Sequence, residues 1–317
     1  VLGQTEIQVR TGDQLGNAKR LDEVIGRYIV HTKAALSPQY SLEGLRVVVD
    51  GANGAGYKLA PLVFEELGAE VIALGNTPNG TNINQACGAL HPQLCAETVK
   101  KYRADLGVCL DGDGDRLTIV DGNGDVIHGD KLIGLCGKFL KDNHEIGPTS
   151  EVVGTVMSNF GLEYYLHQQN LKFTRTQVGD RYIVEHMRQS GALFGGEPSG
   201  HLIFKKYSTT GDGILAALKV IESIKFYDMD LADLTKIEMF PQIMQNVLVQ
   251  KRIPFEDVPE IKKAMKDAET KLGKEGRILL RYSGTEALAR VMVEGKDTTL
   301  VNTLCDELTR VVTKALG

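Results

Sequence analysis

Short apolar segments alternate with amphipathic helical segments along most of the chain, and no other sequence feature constrains the fold as strongly. The segments Leu45–Asp50, Glu70–Leu74 and Leu106–Asp111 have the apolar, β-branched composition of buried strands. Helical periodicity occupies Leu59–Leu67 and His91–Arg103, which lie between them. Strands separated by helices predict a mixed, mostly parallel sheet that is covered by helices on both faces.

The alternation resumes after a predicted hairpin around the turn Asp121–Gly124 and then changes character near residue 239. The last segment has the order strand, helix, two strands, helix, which is typical of a small α+β domain. We therefore expect two consecutive α/β domains followed by an α+β domain, with boundaries at 1–127, 128–238 and 239–317.

Composition excludes several classes of protein. The 317 residues include 36 Lys+Arg and 41 Asp+Glu, a net charge of −5, which argues against general nucleic-acid or membrane-surface binding. No apolar run approaches the ~18 residues of a membrane-spanning helix. The five cysteines form no CxxC pair and indicate buried thiols of a reducing compartment, so we expect a cytoplasmic protein.

Asp111, Asp113 and Asp115 alternate with glycines in the sequence DGDGDR, directly after an apolar strand. Carboxylates at this density favour hard cations such as Mg²⁺, Mn²⁺ or Ca²⁺ over zinc. An EF-hand loop opens similarly, but it requires Gly where Arg116 stands and Glu where Gly122 stands. A solvated acidic turn is the remaining alternative. The buried strand before the loop and the arginine after it favour a metal site that shares a phosphate oxygen with the protein.

Two further loops carry groups suited to a phosphorylated sugar. In GGEPSGH, the side chains of Glu197, Ser199 and His201 can exchange hydrogen bonds with hydroxyls, and the histidine can transfer protons. In RYSGTE, a guanidinium, two hydroxyls and an unobstructed N–H can cradle a phosphate dianion. A structural loop and a polar turn, respectively, are the alternatives. The residues of the second loop are Arg281, Ser283, Gly284 and Thr285, with Arg290 close downstream.

The glycine-rich turn Gly51–Gly56 lies at a strand-to-helix junction, as a dinucleotide-binding turn would. Its order is G-x-x-G-x-G, however, and no acidic residue ends the next strand to bind a ribose. We interpret these glycines as turn and packing residues, and a dinucleotide-binding protein remains a weaker alternative. Arg181 opens a predicted helix and could reach an anionic ligand.

The ordered set DGDGDR, GEPSGH and RYSGTE resembles the loops of the α-D-phosphohexomutase superfamily over essentially the whole chain. The segments VGDRY, GE-x-SGH and RYSGTE followed by ARVMVEG are most similar to the bacterial phosphoglucosamine mutases. The resemblance implies reversible phosphate transfer between O6 and O1 of glucosamine phosphate, with glucosamine 1,6-bisphosphate as intermediate and activator. It also implies a cytoplasmic role in amino-sugar and peptidoglycan-precursor synthesis, and a possible homodimer.

The resemblance also implies residue roles. The three aspartates of DGDGDR would bind one Mg²⁺, and Arg116 would help to hold the catalytic phosphoryl group. Glu197 and Ser199 would grip ring hydroxyls, and His201 would stand beside them as a candidate catalytic group. The phosphate that is not reacting would be bound by Arg281, Ser283, Gly284 and Thr285, and Arg181 and Arg290 would contribute to substrate binding.

Two departures from the superfamily pattern matter. Family members carry a phosphoserine in an A-S-H-N-P loop of an N-terminal domain, whereas Ser37, the only serine before a proline here, lies in ALSPQY. We therefore expect that this chain comprises domains 2–4 of the family, that it binds Mg²⁺ weakly and that it does not catalyse the reaction alone. Pro198 stands where related sequences usually carry Gln or Met, and Ala287 stands where Pro is common. Both departures bear on sugar specificity. The alternatives are a phosphomannomutase or phosphoglucomutase, or a non-catalytic sugar-phosphate binding module.

Overall fold

The computed structural model describes residues 23–283 and 286–317, and its first unit is a five-stranded sheet with helices on its faces. The elements of this unit are α1 (Glu23–Lys33), β1 (Arg46–Asp50), α2 (Leu59–Glu66), β2 (Glu70–Leu74), α3 (Gln93–Tyr102), β3 (Leu106–Leu110), β4 (Leu117–Asp121) and β5 (Val126–Ile127). The strand order is β2-β1-β3-β4-β5. β1 pairs in parallel with β2 and β3, while β4 is antiparallel to β3 and β5.

The second unit is a four-stranded mixed sheet. Its elements are α4 (Gly129–Asp142), β6 (Glu151–Thr155), α5 (Phe160–Gln168), β7 (Lys172–Thr176), α6 (Asp180–Ser190), β8 (Phe194–Gly196), β9 (Leu202–Phe204), α7 (Gly213–Tyr227) and α8 (Leu231–Leu234). The strand order is β7-β6-β8-β9, and only the β8–β9 pair is antiparallel. Side chains of Asn159 and Asp212 cap α5 and α7, respectively, by accepting hydrogen bonds from free backbone N–H groups of the first turn.

The third unit is an antiparallel sheet with two helices. Its elements are β10 (Gln242–Leu248), α9 (Pro259–Leu272), β11 (Gly276–Tyr282), β12 (Leu288–Gly295) and α10 (Thr298–Leu316). The strand order is β10-β12-β11. α9 and α10 cover one face of this sheet, where Ile261, Val291 and Leu304 belong to one apolar cluster. Among the described residues of this unit, no helix covers the opposite face, which we call the helix-free face.

This architecture confirms the predicted fold class of two α/β units followed by an α+β unit. In the first two sheets, four of the seven strand pairings are parallel. The strand predicted to reach Asp111 ends at Leu110, so Asp111 already belongs to the loop. β9 and α8 escaped prediction because segments of three or four residues are too short to show a period.

The first two sheets share one continuous apolar core, which fixes their relative position. Leu110 and Leu117 of the first unit belong to the same buried cluster as Ile133, Phe194 and Leu218 of the second. The loops that follow β3 and β8 therefore stand on a common scaffold. The third unit has its own apolar cluster, which is separate from this shared core.

Arg277 on β11 makes the principal contacts between the third unit and the second. Its Nη2 donates to the carbonyl oxygens of Val156 and Ser158, at 2.9 and 2.8 Å, in the loop that follows β6. Its Nε lies 2.5 Å from Oε2 of Glu294, whose Oε1 accepts from the backbone N–H of Phe160 at 3.2 Å. These bonds direct the helix-free face of the third sheet towards the carboxyl end of β6.

A fully buried lysine ties the first and second units together at a second place. Nζ of Lys219 on α7 contacts Oε2 of Glu222 at 2.6 Å, Oε1 of Glu145 at 2.9 Å and the carbonyl oxygen of Ala35 at 3.3 Å. Ser37 donates its hydroxyl hydrogen to the same Glu222. Burial by itself lowers the pKa of Lys219, but hydrogen bonds and charge attraction from Glu222 and Glu145 raise the net pKa above the ordinary lysine value.

We expect Lys219→Met to lower the free energy of unfolding by about 3–5 kcal/mol, because it leaves the fully buried carboxylate of Glu222 without its cation. Urea denaturation followed by circular dichroism measures the change. The matched control is Lys206→Met, which removes a 58% exposed lysine that also pairs with Glu145 and should change the free energy by less than about 1 kcal/mol. Equal effects of the two substitutions would contradict the assignment of Lys219 as the anchor.

Candidate active site

The aspartate loop, residues 111–116, begins where the central strand β3 ends. One carboxylate oxygen each of Asp111, Asp113 and Asp115 lies within 4.8 Å of the others. Asp111 is buried, Asp113 is exposed and Asp115 is intermediate, so the cluster faces solvent from one side. The predicted ligand set is thus brought together by the backbone of a short loop.

The electrostatics of this loop suit a bound cation. Burial raises the pKa of Asp111, and Asp115 and Asp113 raise it further, whereas the backbone N–H of Arg116, 3.1 Å from its Oδ1, has the opposite effect. Nε of Arg116 stands 3.6 Å from Asp111 and 3.7 Å from Asp115. Oδ1 of Asp115 is buried and has no hydrogen-bond partner among the described residues. Three clustered carboxylates with an unsatisfied oxygen fit a divalent cation with oxygen ligands.

The glycine-rich turn after β1 packs against the aspartate loop and supports it. The N–H of Ala55 donates to the carbonyl oxygen of Gly112 at 2.8 Å. A Cβ atom on Gly54 would stand 2.7 Å from Cα of Gly112, which is closer than real side chains come. The buried Asp50 holds the turn by accepting from the N–H groups of Ala52 and Gly88, at 2.9 and 2.7 Å. These glycines therefore serve close packing.

Residues 76–88 form a second support that the sequence analysis did not identify. The backbone of Asn84 is left-handed, with φ of 57°, and its N–H donates to the carbonyl oxygen of Ala52 at 2.9 Å. A Cβ atom on Gly112 would meet Ile83 and Asn84 at 2.8 and 2.9 Å. The segment NTPNGTNINQACG, rich in turn-forming Asn and Gly, was the available sequence signal.

The loop between β8 and β9 closes as a tight turn and is attached to the first unit. The N–H of Glu197 donates to the carbonyl oxygen of His201 at 2.9 Å, and Gly200, with φ of +90°, donates to Glu197 at 3.0 Å. The N–H of Leu117, just after the aspartate loop, donates to the carbonyl oxygen of Gly200 at 3.0 Å. Oε1 of Glu197 accepts from Gly179 at 2.9 Å, and Ser199 is exposed. Glu197 therefore keeps its second oxygen for a ligand.

His201 connects this loop directly to the aspartates. The ring is 3% exposed, and its Nδ1 lies 3.3 Å from Oδ2 of Asp115. Its Nε2 accepts from the N–H of Gly211 at 3.2 Å, which leaves the proton of a neutral ring on Nδ1, the nitrogen nearer Asp115. The sequence predicts that His201 stands beside Glu197 and Ser199 as a candidate catalytic group. In the structure, Nε2 is bonded to the backbone of Gly211, so a proton transfer through Nε2 would require the ring to give up this partner.

The predicted phosphate loop lies at the end of β11 in the third unit. Arg281 stands directly opposite Arg290 on β12. Burial and the charge of Arg290 lower the pKa of Arg281, and its Nη2 lies 4.0 Å from the sulfur of Met157 in the second unit. Ser283 is buried and lies 3.5 Å from Glu286. Gly284 and Thr285, which complete the predicted cradle, lie outside the described residues.

Arg181 stands apart from these groups in the described structure. It is exposed in the first turn of α6, and its Nη2 donates to the hydroxyl oxygen of Tyr182 at 2.8 Å. Its link to the site is indirect, because Gly179, two residues earlier, binds Glu197. A cavity of about 170 Å³ is lined by Asp113 and Asp115 together with Tyr28 of α1 and Ile214 of α7.

Among the described residues, no helix is both long enough and apolar enough to span a membrane.

Three family models match consecutive parts of the chain. They are described as phosphoglucomutase/phosphomannomutase alpha/beta/alpha domain II at residues 26–124, alpha/beta/alpha domain III at residues 128–240 and C-terminal domain at residues 244–311. The chain is 49% identical over 303 residues to a phosphoglucosamine mutase of Desulfovibrio desulfuricans, covering 95% of this chain and 67% of that protein. It is 48% identical over 304 residues to that of Lawsonia intracellularis, with 96% and 67% covered.

Solved structures share the fold at lower sequence identity. A phosphoglucomutase/phosphomannomutase family protein from Burkholderia thailandensis superposes with a TM-score of 0.73 at 22% identity, over 92% of this chain and 64% of that one. An Aspergillus fumigatus N-acetylphosphoglucosamine mutase, solved with GlcNAc-6P and magnesium, gives a TM-score of 0.69 at 19% identity, over 91% and 68%. The chain thus spans about two thirds of the length of the proteins that it matches.

We expect Gly54→Ala to weaken Mg²⁺ binding at least about tenfold, because the new methyl group displaces Gly112 between two of the carboxylates. Isothermal titration calorimetry with Mg²⁺ and with Mn²⁺ measures this affinity. The control is Gly26→Ala, where a Cβ atom meets nothing within 4 Å, and its affinity should equal that of the wild type. An unchanged affinity in a folded Gly54→Ala protein would show that the turn does not position the aspartate loop.

Proposed function

The chain belongs to the phosphoglucomutase/phosphomannomutase family and to its phosphoglucosamine mutase branch, and we propose on this premise that it binds the sugar phosphate and the metal for interconversion of glucosamine 6-phosphate and glucosamine 1-phosphate. The observation that carries the proposal is the contact of His201 with Asp115. This contact joins the loop of residues 195–201, which we call the sugar-recognition loop, to the aspartate cluster. Phosphate transfer to a sugar hydroxyl requires these two groups of residues to act on one ligand.

In the proposed reaction, Asp111, Asp113 and Asp115 hold one Mg²⁺. The bound ion supplies positive charge that neutralises the transferring phosphoryl group. Arg116, which is 44% exposed beside the cluster, holds oxygens of the same group. Catalysis of phosphoryl transfer depends mainly on such positioning and charge stabilisation, since the protein has little covalent chemistry to perform.

The two remaining loops hold the rest of the substrate. The free oxygen of Glu197 and the exposed hydroxyl of Ser199 bind ring hydroxyls, and Arg281, Ser283 and Arg290, with Gly284 and Thr285, bind the phosphate that is not reacting. Arg181 is kept as a further substrate contact. The sugar must bind in two orientations to exchange O1 for O6, so these residues must recognise features that both orientations present. His201 is kept as the candidate acid or base.

We also propose the domain boundaries 1–127, 128–238 and 239–317, which the three separate sheets support. The sequence contains no A-S-H-N-P loop to carry a phosphoserine, so in this proposal the phosphoryl donor is another segment. The 317 residues alone then bind glucosamine phosphate and glucosamine 1,6-bisphosphate without turnover. A cytoplasmic location and a homodimer belong to the proposal as expectations of the family.

Titration calorimetry of the chain tests the two binding functions separately. We expect Asp113→Asn to weaken Mg²⁺ binding at least about tenfold, because it removes a charged ligand. Glu197→Gln should weaken the binding of glucosamine 6-phosphate about tenfold, because an amide is a poorer acceptor for sugar hydroxyls. It should leave the Mg²⁺ affinity unchanged. The control is Glu185→Gln, an exposed glutamate on α6, which should change neither affinity.

Mannose 6-phosphate and glucose 6-phosphate serve as competing ligands in the same experiment. Tightest binding of glucosamine 6-phosphate supports the proposed specificity, whereas tighter binding of either competitor assigns the chain to a phosphomannomutase or phosphoglucomutase activity. Isomerisation by the 317-residue chain without another protein segment would contradict the proposed need for an external phosphoryl donor. The site itself would be refuted if Asp113→Asn kept wild-type affinity for Mg²⁺ and Glu197→Gln kept wild-type affinity for glucosamine 6-phosphate.

A further inference from the structure

The helix-free face of the third sheet carries a row of polar side chains that extends beyond the predicted phosphate loop. Residues that face each other on antiparallel strands project from the same side of the sheet. Arg281 of β11 faces Arg290 of β12, and Arg290 faces Asn246 of β10. The three side chains therefore form one row across all three strands, with neighbours about 5 Å apart at Cβ.

The composition of this row is unfavourable without an anion. Two arginines directly opposite each other repel, and this repulsion contributes to the lowered pKa of Arg281. Among the described residues, Arg281 has no carboxylate partner within 4.0 Å, and Arg290 has only Glu286 at 3.6 Å. Nε of Arg290 is buried and has no hydrogen-bond partner within the described part of the chain. The guanidinium of Arg281 thus offers donors that no described carboxylate uses, whereas Arg290 can reach a ligand only through its terminal nitrogens, because its Nε is buried.

Asn246 is placed to add a neutral donor to the same row. Asn246 is the direct neighbour of Arg290 across β10 and β12, so a phosphate that contacts the exposed part of the Arg290 guanidinium lies beside the asparagine. An amide donates a hydrogen bond to a phosphate oxygen without adding a third positive charge to the two that already repel. Asn246 is exposed, so a ligand can reach it.

We propose that Asn246 is a phosphate-binding residue whose side-chain amide donates to the phosphate monoester held by Arg281 and Arg290. The inference rests on the proposed function, because it takes the arginine pair as the phosphate site. It extends that site from the loop after β11 to the far strand of the sheet. It therefore assigns a binding role to β10, which the sequence motifs leave out.

Binding of inorganic phosphate and of glucosamine 6-phosphate to the 317-residue chain, measured at several salt concentrations, tests the proposal. We expect Asn246→Ala to weaken the binding of both ligands about tenfold. The salt dependence of binding should stay unchanged, since the lost hydrogen bond comes from a neutral group. Arg290→Gln should weaken both ligands and also reduce the salt dependence, since a charge is lost. Asn246→Asp should weaken them more than Asn246→Ala, because a carboxylate repels the phosphate.

The matched control is Gln242→Ala. Gln242 lies on the same strand and the same face but stands opposite Glu294 and not Arg290, so its removal should leave both affinities unchanged. Circular dichroism melting confirms that each variant is folded, and the exposed position makes Asn246→Asp a second probe if Asn246→Ala is unstable.

The outcomes separate the two levels of the argument. Wild-type affinity in both Asn246 variants, together with weakened binding in Arg281→Gln and Arg290→Gln, overturns the role of Asn246 and leaves the phosphate site in place. Wild-type affinity in the two arginine variants as well overturns the proposed phosphate site. A reduced salt dependence in Asn246→Ala equal to that of Arg290→Gln also contradicts the proposal, because it shows a disturbed arginine and not a lost amide contact.

Discussion

Repulsion among three carboxylates is the constraint on which the structure of the site depends. Asp111, Asp113 and Asp115 place their oxygens within 4.8 Å of one another, and the pKa of Asp111 is raised in part by the other two charges. The surrounding backbone has to hold such a cluster together against this repulsion, which a bound cation would relieve. The backbone here is held from two sides, by the turn that packs on Gly112 and by the loop of residues 76–88.

The aspartate loop also lies where the first two units meet. Gly200 is bonded to Leu117, and His201 is wedged between Asp115 and Gly211, whose missing side chain leaves room for the ring. The sugar-recognition loop therefore cannot move far without disturbing the aspartates. The third unit is held differently, because its apolar cluster is separate from the shared core, and Arg277 and Glu294 contact the second unit through hydrogen bonds to backbone groups. The proposed phosphate row of Arg281, Arg290 and Asn246 therefore lies on a separately packed unit.

The sequence predicted the fold and the chemical parts of the site, but it did not predict how the parts meet. The apolar strands and amphipathic helices are local patterns, so the fold class and most elements were predicted correctly. DGDGDR was identified because the clustering of its aspartates in space follows from their clustering along the chain. The contact of His201 with Asp115 joins residues that are far apart in sequence, and it depends on the packing of β4 against the β8–β9 loop. The Asn246 row similarly depends on strand register, which the sequence pattern left open.

A crystal structure of the chain grown with Mn²⁺ and glucosamine 6-phosphate tests the central claim most directly, because the anomalous signal of manganese locates the ion independently of the protein density. The account predicts an ion bound by oxygens of all three aspartates and a sugar between Glu197 and the arginine pair, with its phosphate on Arg281 and Arg290. An ion held elsewhere, or a sugar phosphate bound without contact to either arginine, would contradict it.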